Sequence, residues 1–245
     1  NPAQAGTQGG PTEHEEDGGG TDDIVLLDIF RGRPGAQSAT TQCAGNTQDA
    51  QSWNAYPASL SSRGIRDPGQ AWNALTVGAY TEKVTISEPD GQGLVPVAPG
   101  GGLSPYTRTS SGWPSVWPLK PDVVFEGGNA GKDVLGAIGV NSLNLLTVHN
   151  VPQERLFTTT NATSAASALG ARMSAQLMAA YPALRPETIR ALIVHSAEWT
   201  TAMKAVYLPA HGHPSKSDYV NLIRHCGWGV PSLERALWSA GNSLT

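Results

Sequence analysis

An α/β domain in three layers, with a mainly parallel sheet flanked by helices, is the fold class this sequence predicts. Two observations carry the prediction. Short apolar runs at 24–30, 74–79 and 121–125 have the length and residue types of buried strands. Helical patterns follow them, over 164–180, from 186 onward and over 231–238. Strands followed by helices in this manner build a parallel sheet with helices on its faces.

Each element has its own local reason. Residues 1–23 are Gly-rich and carry Glu13, Glu15, Glu16, Asp17, Asp22 and Asp23, which predicts a solvated, disordered arm. The arm lacks the ligand spacing of an EF-hand calcium loop. The domain proper is expected over 24–245. Ile24 to Phe30 opens it as a strand, and Arg31 to Gln42 reads as loop. Ala74 to Ala79 and Pro121 to Phe125 read as further strands, with a loop-rich stretch dense in Pro, Gly, Ser and Trp at 87–118. The β-prone run Leu156 to Thr160 leads into a helix from Ser164 to Ala180. Its spacing predicts a buried stripe of Leu169, Met173, Gln176, Leu177 and Ala180. Pro182 ends that helix. Pro186 suits the first turn of the next, which turns Ile189, Leu192 and Ile193 inward.

Composition excludes several functions. A net charge of −4 gives no electrostatic footprint for nucleic acid or an anionic membrane. No apolar stretch approaches the ~18–20 residues of a membrane span. The N-terminus lacks the basic and apolar regions of a signal peptide, and Cys43 and Cys226 are too few and too distant for a disulfide framework, which leans towards a reducing, cytoplasmic setting. The chain does not begin with Met and is expected to be processed or part of something longer.

Ser164 is the residue with the clearest chemical promise. It stands at a strand-to-helix junction, where free backbone N–H groups and the helix dipole favour a developing oxyanion. Ala162-Thr163-Ser164-Ala165-Ala166-Ser167 resembles the Gly-Thr-Ser-x-Ala-x-Pro nucleophile motif of subtilisin-like serine peptidases, the subtilases. Ala44-Gly45-Asn46 is similar to the family's Ala-Gly-Asn segment. Leu75-Thr76-Val77-Gly78-Ala79 resembles its Val-Gly-Ala strand, and Lys120-Pro121-Asp122-Val123-Val124 its Lys-Pro-Asp-Val/Ile-Val segment. All four fall in order, from about Gln42 to the C-terminus, whereas residues 1–41 carry no such likeness.

The resemblance implies the C-terminal portion of a subtilase catalytic domain, an incomplete one. It implies that Ser164 is the nucleophile of a serine endopeptidase, that Asn46 donates to the oxyanion, and that the substrate is polypeptide. Structural calcium is a further family property for which no site is assigned, and no other cofactor is implied. Two departures stand out. Ala162 replaces the motif's first Gly, and Ala168 replaces its Pro. The family's Asp and His precede the asparagine, and the only histidine among the 45 residues before Asn46 is His14, in no matching motif. An Asp and a His supplied by a missing N-terminal segment, or an inactive fragment serving as a binding or structural module, are the two readings this leaves. The Gly-x-Ser-x-Gly elbow of α/β-hydrolases is absent around Ser164, while the related sedolisin class has only nominal candidates for its Glu–Asp pair, Glu13/Asp17 or Glu16/Asp23.

Other residues have plainer readings. Asp122 is expected to hold a turn at the head of a strand. His195 reads as a helix C-terminal or core histidine and His149 as a loop residue. His211, His213, His225 and Cys226 fit no structural-zinc spacing. Asn161-Ala162-Thr163 is formally a glycosylation sequon, but it abuts the nucleophile and is read as coincidence. Trp53, Trp72, Trp113 and Trp117 read as buried or edge residues, with a cleft-lining role as the alternative.

Overall fold

A computed structural model describes residues 26–28, 40–43, 50–89 and 91–241. The acidic arm expected at 1–23 lies outside the described residues, as does most of the segment expected to be loop at 31–42. Strand β1 is Leu26–Asp28 and β2 is Thr40–Cys43. Two short helices follow, α1 (Ala50–Asn54) and α2 (Ser59–Ser62), then the long strand β3 (Leu75–Thr81). Short strands β4 (Val95–Pro96) and β5 (Gly102–Leu103) interrupt the loop-rich stretch before β6 (Val123–Glu126). Next come β7 (Ala130–Lys132), β8 (Ala137–Gly139), β9 (Leu145–Val148) and β10 (Phe157–Thr160). The C-terminal part is helical: α3 (Ala162–Ala180), α4 (Pro186–His195), α5 (Thr201–Tyr207), α6 (Lys216–Cys226) and α7 (Leu233–Gly241).

Strands β2, β3 and β6 form a parallel centre, with Thr41 beside Leu75 and Val77 beside Val123. Antiparallel strands complete the sheet: β1 on β2, and β5 on the end of β3. The strand predicted at 24–30 is thus three residues long among those described, and the loop predicted at 31–42 gives way to β2 at its end.

Alternation along the central strands separates two cores. Leu75, Val77, Ala79 and Val123 face α3, α4 and α7, where they pack with Ala166, Met173, Leu177, Ile189, Ile193 and Ala236. Val124 faces the other way and packs with Leu60, Leu103, Met203, Leu222 and Cys226 from α2, β5, α5 and α6. Helices on both faces of a sheet give the three layers. Each fully buried aliphatic side chain here contributes about 1.5–3 kcal/mol.

The buried face of α3 differs from the predicted stripe. Met173 and Leu177 are buried, but Gln176 and Ala180 are exposed. Ala162, Ala165, Ala166, Gly170, Ala171 and Ser174 face inward instead. Small side chains let the helix axis approach the sheet, so the face is set by size rather than by the largest apolar residues. The helix begins at Ala162, two residues before the expected start, and its cap is Asn161.

Asp122 has the turn-holding role expected of it. Its Oδ2 accepts the Lys120 ammonium at 2.6 Å and the Thr76 N–H at 2.7 Å, while Lys120 Nζ also donates to the Ala74 carbonyl at 2.8 Å. Lys120 is buried, so this pairing braces the entry of β6 against β3.

Candidate active site

Ser164 is the third residue of α3 and is half-buried. The first bond of the helical ladder runs from the Ala165 N–H to the Asn161 carbonyl at 3.4 Å. The N–H groups of Thr163 and Ser164 therefore lie ahead of that ladder, at the positive end of the helix dipole.

The turn that delivers Ser164 is tightly specified. Ala162 has φ of +65°, a left-handed conformation that costs a residue with a Cβ about 1–2 kcal/mol. Its N–H donates to the Gly127 carbonyl at 2.6 Å, immediately beyond the end of β6. A Cβ on Gly127 would meet Ala79 Cβ at 2.4 Å and the Ala162 carbonyl oxygen at 2.9 Å, so glycine alone permits this approach. The serine thus stands at the carboxyl edge of the parallel strands, where the fold rule places α/β sites.

Polar side chains hold the same turn from behind. Asn161 Nδ2 donates to Asn144 Oδ1 at 3.2 Å, tying the start of α3 to the base of the β9–β10 hairpin. Asn161 also hydrogen-bonds to the Tyr106 hydroxyl. Tyr106 donates to the Asn129 carbonyl at 3.0 Å and packs edge-on against Trp53, with ring centroids 5.2 Å apart. Burial pushes the Tyr106 phenol well above its ordinary pKa, so it remains a donor at any physiological pH. Trp53, Tyr106 and Ala162 share one small core. Glu126 completes the support, accepting the Glu82 N–H at 2.7 Å and the Gly128 N–H at 2.8 Å.

The sequence profile of the subtilase family matches residues 6–229. The chain belongs to the subtilase family. The match begins well upstream of Gln42, so residues before the motif-bearing tract share in it. No curated protein sequence matches this subtilase significantly. Among solved structures, a protease from Pseudoalteromonas arctica is similar at 16% identity and a TM-score of 0.43, over 71% of this chain and 38% of that one. A lanthipeptide protease is similar at 12% identity and a TM-score of 0.45, over 82% of this chain and 50% of that one. The epidermin leader peptide processing serine protease of Staphylococcus aureus is similar at 14% identity and a TM-score of 0.45, over 85% and 42%. This subtilase spans half or less of the length of these proteases.

Asn46 lies outside the described residues. The strand before it, β2, is parallel to β3 and so runs towards the same sheet edge as Gly127. The five histidines among the described residues stand on other elements than α3. His149 is in the β9–β10 turn, four ladder pairs along the hairpin, and its Nδ1 accepts the Val151 N–H at 3.1 Å. His195 is exposed in the last turn of α4, as its helix C-terminal reading expects. His211 and His213 are exposed before α6, and His225 is buried within it. Cys226 is buried too, and burial pushes its thiol pKa well up. Among the described residues no three His, Cys, Asp or Glu side chains gather to hold a metal. No described helix is long and apolar enough to cross a membrane.

Sequence reasoning passed over three residues of this site. Gly127 was legible in Glu126-Gly127-Gly128-Asn129, directly after the Lys-Pro-Asp segment. Tyr106 carries no motif. Asn161 was read only as a sequon residue, and its amide is engaged on Asn144 and Tyr106.

Proposed function

We propose that this subtilase chain carries the nucleophile and oxyanion half of a serine endopeptidase. Ser164 Oγ attacks the carbonyl carbon of a peptide bond, forming a C–O bond as its proton passes to a histidine. The Ser164 N–H and the Asn46 side-chain amide donate to the resulting oxyanion. Collapse breaks the C–N bond, the histidine protonates the leaving amine, and water later releases the acyl group. The histidine and its aspartate are supplied by polypeptide outside these 245 residues, because the only histidine before Asn46, His14, stands in no matching motif.

The observation that best supports this reading is the turn at Ala162, locked onto Gly127, which starts α3 so that Ser164 falls in its first turn. The test is reaction with a fluorophosphonate probe after the chain is co-expressed with its upstream polypeptide. Label on the Ser164 peptide that disappears in Ser164→Ala supports the assignment. Absence of label on the Ser164 peptide overturns it.

One observation favours a second reading, an inactive binding or structural module. The fully buried methyl of Ala162 fills the place of the motif's glycine, beside the serine. Ser164-dependent cleavage of casein counts against that reading.

A further inference from the structure

A serine–histidine contact lies on the opposite face of the sheet from α3, in the layer of α2 and α6. Ser61 Oγ is 3.1 Å from His225 Nε2. His225 Nδ1 is 2.8 Å from the Asn221 carbonyl oxygen. A carbonyl can only accept, so Nδ1 carries the proton. In the neutral ring Nε2 then holds a lone pair, and the Ser61 hydroxyl donates to it. This is the hydrogen-bond order of a nucleophile, a base and an orienting acceptor, with a backbone carbonyl as the third member.

The surroundings hold both partners in place. His225 is only 2% exposed, and Tyr207 stacks on its ring with centroids 4.5 Å apart. Burial lowers the imidazole's pKa from its ordinary value, which keeps the ring neutral at neutral pH. Ser61 itself is exposed. Its backbone is fixed, because Ser111 Oγ donates to the Ser61 carbonyl at 3.1 Å and Thr109 Oγ1 donates to the neighbouring Leu60 carbonyl at 2.7 Å. An accessible hydroxyl is thus presented by a rigid support to a base that cannot turn away.

We propose that Ser61 and His225 form a nucleophilic dyad, separate from Ser164, that takes an acyl or phosphonyl group from a reactive electrophile. With a phosphonyl fluoride, Ser61 Oγ forms a bond to phosphorus as its proton passes to His225 Nε2. The P–F bond breaks, fluoride leaves, and the proton on His225 is released to solvent. The product is a phosphonylated Ser61 and one equivalent of HF. An activated ester reacts in the same sense, with the proton going to the departing alkoxide.

The test uses the full 245-residue chain alone, treated with a fluorophosphonate and mapped by peptide mass spectrometry. The label is expected on Ser61, retained in Ser164→Ala and lost in Ser61→Ala. Ser62, the adjacent exposed serine whose hydroxyl bonds to the Ser59 carbonyl, serves as an internal control. His225→Gln is expected to slow labelling at Ser61 by about 10²-fold or more, the usual share of a general base. Ser61→Ala alters an exposed position and keeps the test decisive even where the buried substitution disturbs folding. No label on Ser61, or label there no faster than on Ser62, overturns the proposal and leaves the contact as a tie between α2 and α6.

Discussion

The Ala162 N–H donates to the Gly127 carbonyl at 2.6 Å, and this one bond joins the end of the central sheet to the start of the helix that bears Ser164. Gly127→Ala tests it. The added Cβ would stand 2.4 Å from Ala79 Cβ and 2.9 Å from the Ala162 carbonyl oxygen, both rigid neighbours. Overpacking of this kind costs about 1–3 kcal/mol. A urea titration is expected to show a lower midpoint with an unchanged slope.

Ala162 itself is under two opposed effects. Glycine there would relieve a left-handed strain of about 1–2 kcal/mol. It would also lose a buried methyl worth about 0.8 kcal/mol and cost about 0.5–1 kcal/mol of unfolded-chain entropy. Ala162→Gly is therefore expected to leave stability within about 1 kcal/mol of the parent. Ala162→Val adds a β-branch to a position at φ of +65° and should lose stability clearly in the same titration.

Among the described residues, Ser167 Oγ is a buried hydroxyl on α3 with no hydrogen-bond partner. Leaving such a group unsatisfied costs about 1–3 kcal/mol, and alanine is also the better helix former. Ser167→Ala is expected to raise the thermal midpoint. A lower midpoint would show that the hydroxyl is satisfied.

Acid should weaken the fold through His225. Burial, the larger effect, lowers its pKa against a smaller upward pull from the Asn221 carbonyl. The unfolded chain takes up a proton near an ordinary pKa of about 6.5, while the folded chain resists it. Its contribution is thus complete above that pH and is lost as pH falls towards the lower folded value. Urea midpoints measured from pH 7.5 downward should fall less steeply in His225→Gln than in the parent.

Much of this fold was legible from single residues. Pro186 and Glu187 marked the start of α4, and the β-prone run ending at Thr160 led into α3 as expected. The Lys-Pro-Asp segment showed Asp122 as a turn-holder, and the structure supplies its partners in Lys120 and Thr76. Other features were hidden for physical reasons. Helix α6 begins with a capping box, in which Ser215 Oγ accepts the Asp218 N–H and Asp218 Oδ2 accepts the Ser215 N–H. That signal was overshadowed by the Gly212 and Pro214 just before it. The support behind Ser164 comes from Tyr106, Asn129 and Asn144, far apart in sequence and without a motif, which only the folded chain brings together.

Site-resolved labelling tests most directly the proposal that Ser164 is the nucleophile. The chain carrying Ser61→Ala, which removes the second proposed site, is co-expressed with its upstream polypeptide, treated with a fluorophosphonate, digested and mapped. The expected result is a single phosphonylated residue, Ser164, with labelling slowed about 10²–10³-fold by Asn46→Ala, the usual cost of removing an oxyanion-hole donor. An unlabelled Ser164 in that folded, complemented protein would contradict the account.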